Sequence, residues 1–213
     1  MKHPAIHGLY AITDPALIRD RQLLPAAEAA LRGGARLLQY RDKTATPAQR
    51  RQRAAQLQAL CRQHDALFLV NDDPALAADI DADGVHIGQS DGGIARARRL
   101  LGPGKIIGVT CHSDLALAEQ AAAAGADYVA FGRFFPSRTK PLAPPADPAI
   151  LDQARQQLTI PLVAIGGIDS DNGGQLLERS ADALAVIHAL FSDPAPDQVE
   201  RAAQQLSALF NAV

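Results

Sequence analysis

The sequence predicts a closed (β/α)8 barrel, in which eight parallel strands alternate with helices. Eight short apolar segments recur along the 213 residues, and most are runs of Val, Ile, Leu, Tyr or Phe. Several lack polar alternation, as do strands that are buried on both faces of a parallel sheet. Helical patterns separate them, so that a strand–helix unit repeats about every 25 residues. Eight such units with right-handed crossovers match a barrel of parallel strands.

The eight predicted strands are spread evenly along the chain. They are GLYAIT (8–13), ARLLQY (35–40), ALFLVN (66–71), DGVHIG (83–88), KIIGVT (105–110), DYVAFG (127–132), IPLVAIGG (160–167) and DALAVI (182–187). His86 falls inside one of these apolar segments, and we therefore expect it to be a barrel or core residue.

Eight helical patterns follow the strands. They cover residues 23–34, 46–65, 74–80, 92–102, 113–126, 147–158, 171–180 and 196–210. Thr46 is expected to be the N-cap of the second helix, with Pro47 at its first position. Ser113 is expected to open the fifth helix. Glycines such as Gly102 and Gly125 are expected to end others.

An open, doubly wound parallel sheet is the alternative architecture. It is disfavoured because the first predicted strand continues into TDPAL and not into a glycine-rich dinucleotide-binding turn. The proline-rich stretch PLAPPADP (141–148) follows the sixth strand and is expected to be a loop within one domain. We therefore predict a single barrel domain over residues 1–213.

Composition narrows the class of partner. Lys and Arg number 21 against 23 Asp and Glu, and this balance disfavours nucleic acid as a partner. No apolar run reaches the ~18–20 residues of a membrane-spanning helix, and the N-terminus lacks the apolar region of a signal peptide. Cys61 and Cys111 fit neither a disulfide framework nor a structural zinc site. We expect a cytoplasmic protein that acts on small molecules, with no membrane partner.

Polar residues follow nearly every predicted strand, at the end of the barrel where active sites lie. Gln39, Arg41 and Lys43 alternate along the second strand and so share one face. An Arg fork beside a Lys charge suits a phosphate or diphosphate. Ordinary exposed charges at a fraying strand end are the alternative interpretation.

Carboxylates follow the third and fourth strands. Asp72 and Asp91, close to an Arg/Lys pair, fit one Mg²⁺ ion, which takes one or two carboxylates together with substrate phosphate. Each aspartate is also compatible with a helix cap. Asp73 precedes Pro74 and has the pattern of an N-cap.

The later loops carry further candidates for phosphate binding. The segment 137–140 (SRTK) is equally compatible with a phosphate site and with a plain polar loop. Gly166 and Gly167 follow the seventh strand, and His188 follows the eighth, where phosphate is held in many barrels. A tight turn is the alternative for the two glycines.

Cys111 and His112 invite interpretation as a nucleophile and its base. We disfavour it because adjacent residues on a strand point in opposite directions and no third group is evident to orient the histidine.

Six motifs in order complete the pattern: QYRDK, VNDD, DGVHIGQSD, IIGVTCHS, DYVAFGRFFPSRTK and VAIGGI. Together they resemble the thiamine-phosphate synthase family, and the resemblance extends from GLYAITD to AVIHALF. It implies a compact TIM barrel and a transferase. This enzyme would join a hydroxymethylpyrimidine diphosphate to a thiazole phosphate and release pyrophosphate, with Mg²⁺ as cofactor.

The resemblance also implies roles for individual residues. The pyrimidine diphosphate would contact Gln39, Tyr40, Arg41, Asp42 and Lys43, with Asn71 on the pyrimidine. Thr110, which stands where Ser is commoner, would be a further substrate-binding residue. Asp72 and Asp91 would hold Mg²⁺. The thiazole phosphate would contact Ser137, Arg138, Thr139, Gly166 or Gly167, Ile187 and His188. Arg41, Lys43 and Lys140 would be the catalytic groups at the leaving diphosphate.

Two departures from the family pattern concern the thiazole-phosphate pocket. His188 stands where Ser is usual, so that any hydroxyl contact is lost while backbone contacts survive. Arg133 lies in GRFFPS, where GPxFPT is commoner, and adds a positive charge or faces solvent.

Two other functions stay open. A related barrel isomerises the thiazole phosphate, and His112 would then be its acid/base. The motif with Asp91 and the diphosphate site disfavour that activity. A non-catalytic barrel that senses a phosphorylated metabolite is the second alternative, and the retained metal carboxylates disfavour it. A homo-oligomer is compatible with the sequence.

Overall fold

The computed structural model describes residues 6–139 and 144–211, and these form a closed barrel of eight parallel strands. The strands are β1 (Gly8–Ile12), β2 (Leu37–Tyr40), β3 (Leu67–Asn71), β4 (Gly84–Ile87), β5 (Ile106–His112), β6 (Tyr128–Phe131), β7 (Leu162–Ile165) and β8 (Ala183–Val186). Each strand pairs with the next, and β8 returns to β1 through Leu184 and Leu9. The predicted (β/α)8 barrel is thus confirmed, and the open sheet is excluded.

Helices follow the strands around the outside of the barrel. They are α1 (Asp20–Arg32), α2 (Pro47–Gln63), α3 (Pro74–Asp79), α4 (Gly93–Leu101), α5 (Leu115–Ala123), α6 (Ala149–Gln157), α7 (Gly174–Leu177), α8 (His188–Phe191) and α9 (Pro196–Ala208), and a 3-10 turn covers Leu209–Asn211. The short α8 was not predicted. The pattern at 171–180 yields only the four residues of α7. Over the described ranges, no helix is long and apolar enough to cross a membrane.

Side-chain caps fix several helix starts. Thr46 caps α2 in a reciprocal arrangement with Gln49, as predicted. Asp73 caps α3 by accepting the backbone N–H of Leu76 at 2.9 Å. The prediction for α5 was wrong by one residue. Asp114, not Ser113, is its N-cap and accepts the Leu117 N–H at 3.1 Å, because a carboxylate at this position satisfies a free amide of the first turn.

The strands separate two apolar layers. Side chains that alternate along each strand point either to the helices or to the barrel interior. On β1, Leu9 and Ala11 belong to the outer layer, while Tyr10 and Ile12 belong to the inner one. Ile12 pairs in register with Gln39, which places Gln39 toward the interior as well. This alternation determines which residues beyond the strand ends reach the pocket.

Candidate active site

A cavity of about 680 Å³ opens at the carboxyl ends of the strands. Residues from all eight strands line it, and its size lies in the range of small-molecule sites. Most of the predicted site residues meet here: Gln39, Arg41, Lys43, Asn71, Asp72, Asp91, Thr110, Ser137, Arg138, Thr139, Gly166, Gly167, Ile187 and His188. Arg133 also lines the cavity. Lys140 lies outside the described residues.

The two cations beyond β2 are each paired with a carboxylate. Arg41 Nη1 lies 3.2 Å from Asp14 Oδ2, and the Arg41 backbone N–H donates to the Thr13 hydroxyl at 3.0 Å. Lys43 Nζ lies 2.9 Å from Asp72 Oδ2. Both side chains line the cavity. The loop after β1 therefore fixes the direction of Arg41, a contact that the sequence did not indicate.

Tyr40 and Asp42 alternate with these cations, and the structure places their side chains outside the cavity lining. Asp42 Oδ1 accepts from the backbone N–H groups of Thr44 and Ala45 at 2.9 and 3.0 Å, and its Oδ2 lies 2.8 Å from Arg53. Burial alone raises the pKa of Asp42, but these hydrogen bonds and the Arg53 charge outweigh it, and the net pKa is lowered. The placement of these two side chains favours a role in holding the turn before Lys43 over direct contact with a substrate.

Two carboxylates meet on the side of the cavity next to β2. Asp72 and Asp91 both line this part of the cavity, and the Asp91 side chain is among the groups that lower the pKa of Asp72. Burial raises the pKa of Asp72, whereas the hydrogen bond and charge of Lys43 lower it, so that the net pKa is below its ordinary value. Asp91 Oδ2 accepts the Gly88 N–H at 2.7 Å, and Gly92, not Asp91, is the N-cap of α4.

This pair fits a divalent cation. Two neighbouring carboxylates repel unless a proton or cation lies between them. Mg²⁺ binds through one or two carboxylates and completes its shell with water and phosphate. Within residues 6–139 and 144–211 there is no cluster of three or more His, Cys, Asp or Glu side chains suited to a metal.

The opposite side of the cavity is built on the turn after β7. Gly166 and Gly167 have φ values of +106° and +69°, in the region that favours glycine. A Cβ atom on Gly166 would lie 2.3 Å from Cβ of Arg133, and one on Gly167 would lie 2.5 Å from the Pro136 carbonyl oxygen. The glycines thus allow the loop after β6 to lie directly against this turn. Ser137 and Thr139 are brought to the cavity by the same loop.

The floor of the cavity carries a polar group of side chains, in which Gln39 and Thr110 were predicted site residues and Tyr10 and Tyr128 were not singled out. Tyr10, Gln39, His86 and Thr110 line the cavity, and Tyr128 lies beneath them with no exposed surface. His86 was expected to be a barrel or core residue, and it is buried inside the barrel. The sequence feature that could have identified this group is alternation along the strands, which directs Tyr10, Gln39 and His86 toward the barrel interior.

Cys111 and His112 point in opposite directions, as expected. Cys111 is fully buried in the outer layer, and burial raises its pKa to about 12. His112 is exposed at the rim of the cavity. A neutral buried thiol on the far side of the strand cannot be a nucleophile in this cavity.

The fold and the cavity together define a (β/α)8 barrel with a polar site at the carboxyl ends of its strands. Cations and paired carboxylates lie on one side of that site, and a glycine turn lies on the other. This is the arrangement of barrel enzymes that act on phosphorylated small molecules.

Comparison with known proteins gives the family. The chain belongs to the thiamine monophosphate synthase family, whose sequence profile it matches over residues 9–190. It is 68% identical to thiamine-phosphate synthase of Alcanivorax borkumensis, over 96% of this chain and 94% of that one. A second thiamine-phosphate synthase, from Saccharophagus degradans, is 52% identical over 95% and 93%. A solved structure of thiamine phosphate pyrophosphorylase from Pyrococcus furiosus superposes with a TM-score of 0.87 at 34% identity, covering 98% and 97% of the two chains.

Proposed function

We propose that this chain is a thiamine-phosphate synthase, a transferase that joins a pyrimidine diphosphate to a thiazole phosphate. The observation that carries the proposal is a single cavity with two differently built sides. Arg41, Lys43 and the aspartate pair lie on one side. The glycine turn and the Ser137–Thr139 loop lie on the other. Two anionic substrates can therefore occupy it together.

The diphosphate belongs on the side next to β2. Arg41 offers a planar fork of donors, and Lys43 offers a mobile point charge. Lys43 is the more exposed of the two, with 63% of its side chain accessible, so that it can move from Asp72 to an incoming anion. Asn71, which ends β3 and lines the cavity, would hydrogen-bond the pyrimidine.

The thiazole phosphate belongs on the opposite side. Backbone N–H groups of the turn at Gly166 and Gly167, which lines the cavity, would bind the anion. Ser137 and Thr139 add hydroxyl donors from the neighbouring loop. His188 begins α8 at the cavity wall and contributes through its backbone, whereas Arg133 adds a positive charge near this phosphate.

Asp72 and Asp91 are the residues that would hold Mg²⁺. When bound there, the ion would supply positive charge that offsets the charge of the diphosphate. The same carboxylates, without a compensating cation, would repel the diphosphate. Their placement beside Arg41 and Lys43 thus agrees with a site for a metal–diphosphate complex.

The chemical step needs no general base. The bond between the pyrimidine methylene carbon and the diphosphate oxygen breaks, and both bonding electrons leave with the oxygen. The lone pair of the thiazole nitrogen forms the new C–N bond, and no proton is removed. Arg41, Lys43 and Lys140 would stabilise the charge that develops on the leaving diphosphate. The barrel holds the two reactants together and excludes water from the electron-poor carbon.

We also propose a cytoplasmic location and small-molecule partners only. Both cysteines are free and buried thiols, as is usual for proteins of a reducing compartment.

The test is an incubation of the purified chain with both substrates and Mg²⁺, with products identified by mass spectrometry. We expect thiamine phosphate and pyrophosphate in equal amounts, and neither product when one substrate is omitted. A parallel incubation with the thiazole phosphate alone follows its isomerisation. Isomerisation without coupling would reject the synthase and favour the His112 acid/base alternative.

A further inference from the structure

Five polar side chains form a continuous chain of hydrogen bonds across the barrel, beneath the cavity. Gln39 Nε2 lies 2.7 Å from the Tyr10 hydroxyl, and the Tyr10 and Tyr128 hydroxyls lie 2.9 Å apart. Tyr128 then lies 2.8 Å from His86 Nδ1. His86 Nε2 lies 2.7 Å from the Thr110 hydroxyl. The chain joins β2, β1, β6, β4 and β5 in this order, so that only the closed barrel assembles it.

The Gln39 amide nitrogen can only donate, so that the Tyr10 oxygen accepts from it. The directions of the other three hydrogen bonds depend on which hydroxyl donates and on the His86 tautomer. One arrangement gives every phenol hydrogen an acceptor: Tyr10 donates to Tyr128, and Tyr128 donates to His86 Nδ1. With a neutral ring, the His86 proton is then on Nε2, which donates to the Thr110 oxygen.

This arrangement of hydrogen bonds requires that the hydroxyls of Tyr10 and Tyr128 both stay protonated, and the burial of the two side chains ensures that they do. Burial raises the pKa of Tyr10 and of Tyr128 well above the ordinary value. Neither phenol ionises at any pH at which the enzyme would work.

Packing fixes Tyr128 in place without exposing it to the cavity. Its ring stacks on His86 with centroids 5.6 Å apart and meets Tyr10 edge-on at 6.2 Å. Gly108 on β5 makes room for it, because a Cβ atom there would lie 1.9 Å from Cζ of Tyr128. Such a distance is far inside van der Waals contact. The position of this hydroxyl is thus determined by residues on β1, β4 and β5.

We propose that Tyr128 is a positioning residue: it holds His86 as the Nε2–H tautomer and thereby leaves the Thr110 hydroxyl hydrogen available to an anionic substrate. Since Nε2 donates to the Thr110 oxygen, the Thr110 hydrogen is not used on His86 and can point into the cavity, which Thr110 lines. With the other tautomer, Thr110 would donate to His86 and present only lone pairs to the anion. That the ligand of Thr110 is an anionic substrate rests on the proposed function, whereas the assignment of the His86 tautomer does not.

The first test is the tautomer itself, measured by nitrogen NMR on protein labelled at histidine, with the His86 signals assigned by His86→Gln. We expect Nε2–H in the wild type and both tautomers in Tyr128→Phe. Leu57→Val is the control, because Leu57 is fully buried in the outer layer. It should lower the melting temperature and leave the tautomer unchanged. An Nδ1–H signal in the wild type, or an undisturbed Nε2–H signal in Tyr128→Phe, would overturn the proposal. The wild-type result needs no variant to fold.

The second test is a double-mutant cycle on kcat/KM for the diphosphate substrate. Thr110→Ala should lower it by about ten- to a hundredfold, as expected for the loss of a hydrogen bond to a charged group, and Thr110→Ser should retain most of it. Tyr128→Phe should cost about tenfold in the wild type but less than about twofold in the Thr110→Ala background. An equal cost in both backgrounds would mean that Tyr128 acts only on stability, and would reject the proposal.

The same double-mutant cycle can also be measured on ligand binding, without catalysis. Calorimetric binding of pyrophosphate with Mg²⁺ should show the same loss and the same non-additivity. If coupling is absent but this binding cycle and the tautomer are as expected, the proposed reaction fails and the role of Tyr128 stands.

Discussion

Single residues at the mouth of the barrel are held in place by partners that do not themselves reach the substrate. Asp14 fixes Arg41 at 3.2 Å, and Arg53 holds Asp42 at 2.8 Å behind the turn that carries Lys43. Such preformed contacts lower the entropy lost when an anion binds, since the cations are already directed at the cavity.

Neighbouring aspartates after β3 provide a matched pair of substitutions. Asp72→Asn removes a candidate metal ligand and should lower kcat by more than about 10²-fold, as for loss of a preorganised electrostatic contact. Asp73→Asn should leave kcat within about threefold, because Asn can still accept from Leu76 as the cap of α3. Its lost ion pair with Arg50 should cost at most about 1 kcal/mol of stability. Steady-state kinetics at varied Mg²⁺ concentration measures both effects. A larger loss of kcat in Asp73→Asn than in Asp72→Asn would show that the metal carboxylates were misassigned.

Asp42 gives a prediction for the pH dependence of stability. Its pKa is lowered in the folded protein, so that its contribution is complete above the unfolded pKa and is lost as the pH falls through the folded pKa. The stability gap between wild type and Asp42→Asn should therefore be large at pH 7 and shrink toward pH 3. Urea unfolding at several pH values measures this gap. The exposed Asp171→Asn serves as control, and a gap for Asp42→Asn that stays constant with pH would contradict the assignment.

At the scale of elements, the same Ala-Asp pair precedes three alternate strands. Asp83, Asp127 and Asp182 open β4, β6 and β8. Each donates its backbone N–H to a carbonyl oxygen of the preceding strand, and its carboxylate accepts, at 2.8 Å, the backbone N–H of that same residue. Arg98 of α4 and Arg155 of α6 reach two of these carboxylates. These aspartates thus anchor β4, β6 and β8 to β3, β5 and β7 at the end of the barrel opposite the cavity.

This anchor predicts a stability loss without loss of the site. Asp127→Ala removes the acceptor of the Ile107 N–H and leaves Arg98 without its carboxylate, which should cost about 2 kcal/mol. Asp152→Ala breaks a more exposed pair with Arg179 and should cost about 0–1 kcal/mol. Urea unfolding measures both values. Equal losses in the two variants would show that the anchor contributes nothing beyond a surface ion pair.

Element order was predictable from sequence, whereas contacts between elements were not. Seven strands lie within the predicted apolar segments, and β5 begins in its predicted segment but continues to His112. The four-residue α8 is too short to show a helical period. Tyr10 and Tyr128 are 118 positions apart, and only the closure of the barrel brings their hydroxyls together. Likewise, alternation of side chains beyond β2 identified Arg41 and Lys43 as site residues, but the sequence did not show that Asp42 forms an ion pair with Arg53.

At the scale of the whole molecule, closure of the barrel places residues from Tyr10 to His188 around one cavity. Strands early in the chain supply the cations and carboxylates, and late strands supply the glycine turn and the short α8. Under the proposed function, one side of the cavity would bind the metal–diphosphate and the other the second phosphate. This division would allow two anions to be held together without a dedicated catalytic base.

The most direct measurement of this claim is a crystal structure of the chain with thiamine phosphate, pyrophosphate and Mg²⁺. We predict pyrophosphate between Arg41 and Lys43, with the ion on Asp72 and Asp91, and the phosphate of the product beside Gly166 and Gly167. Pyrophosphate bound at the glycine turn, or a cation bound away from both aspartates, would contradict the account.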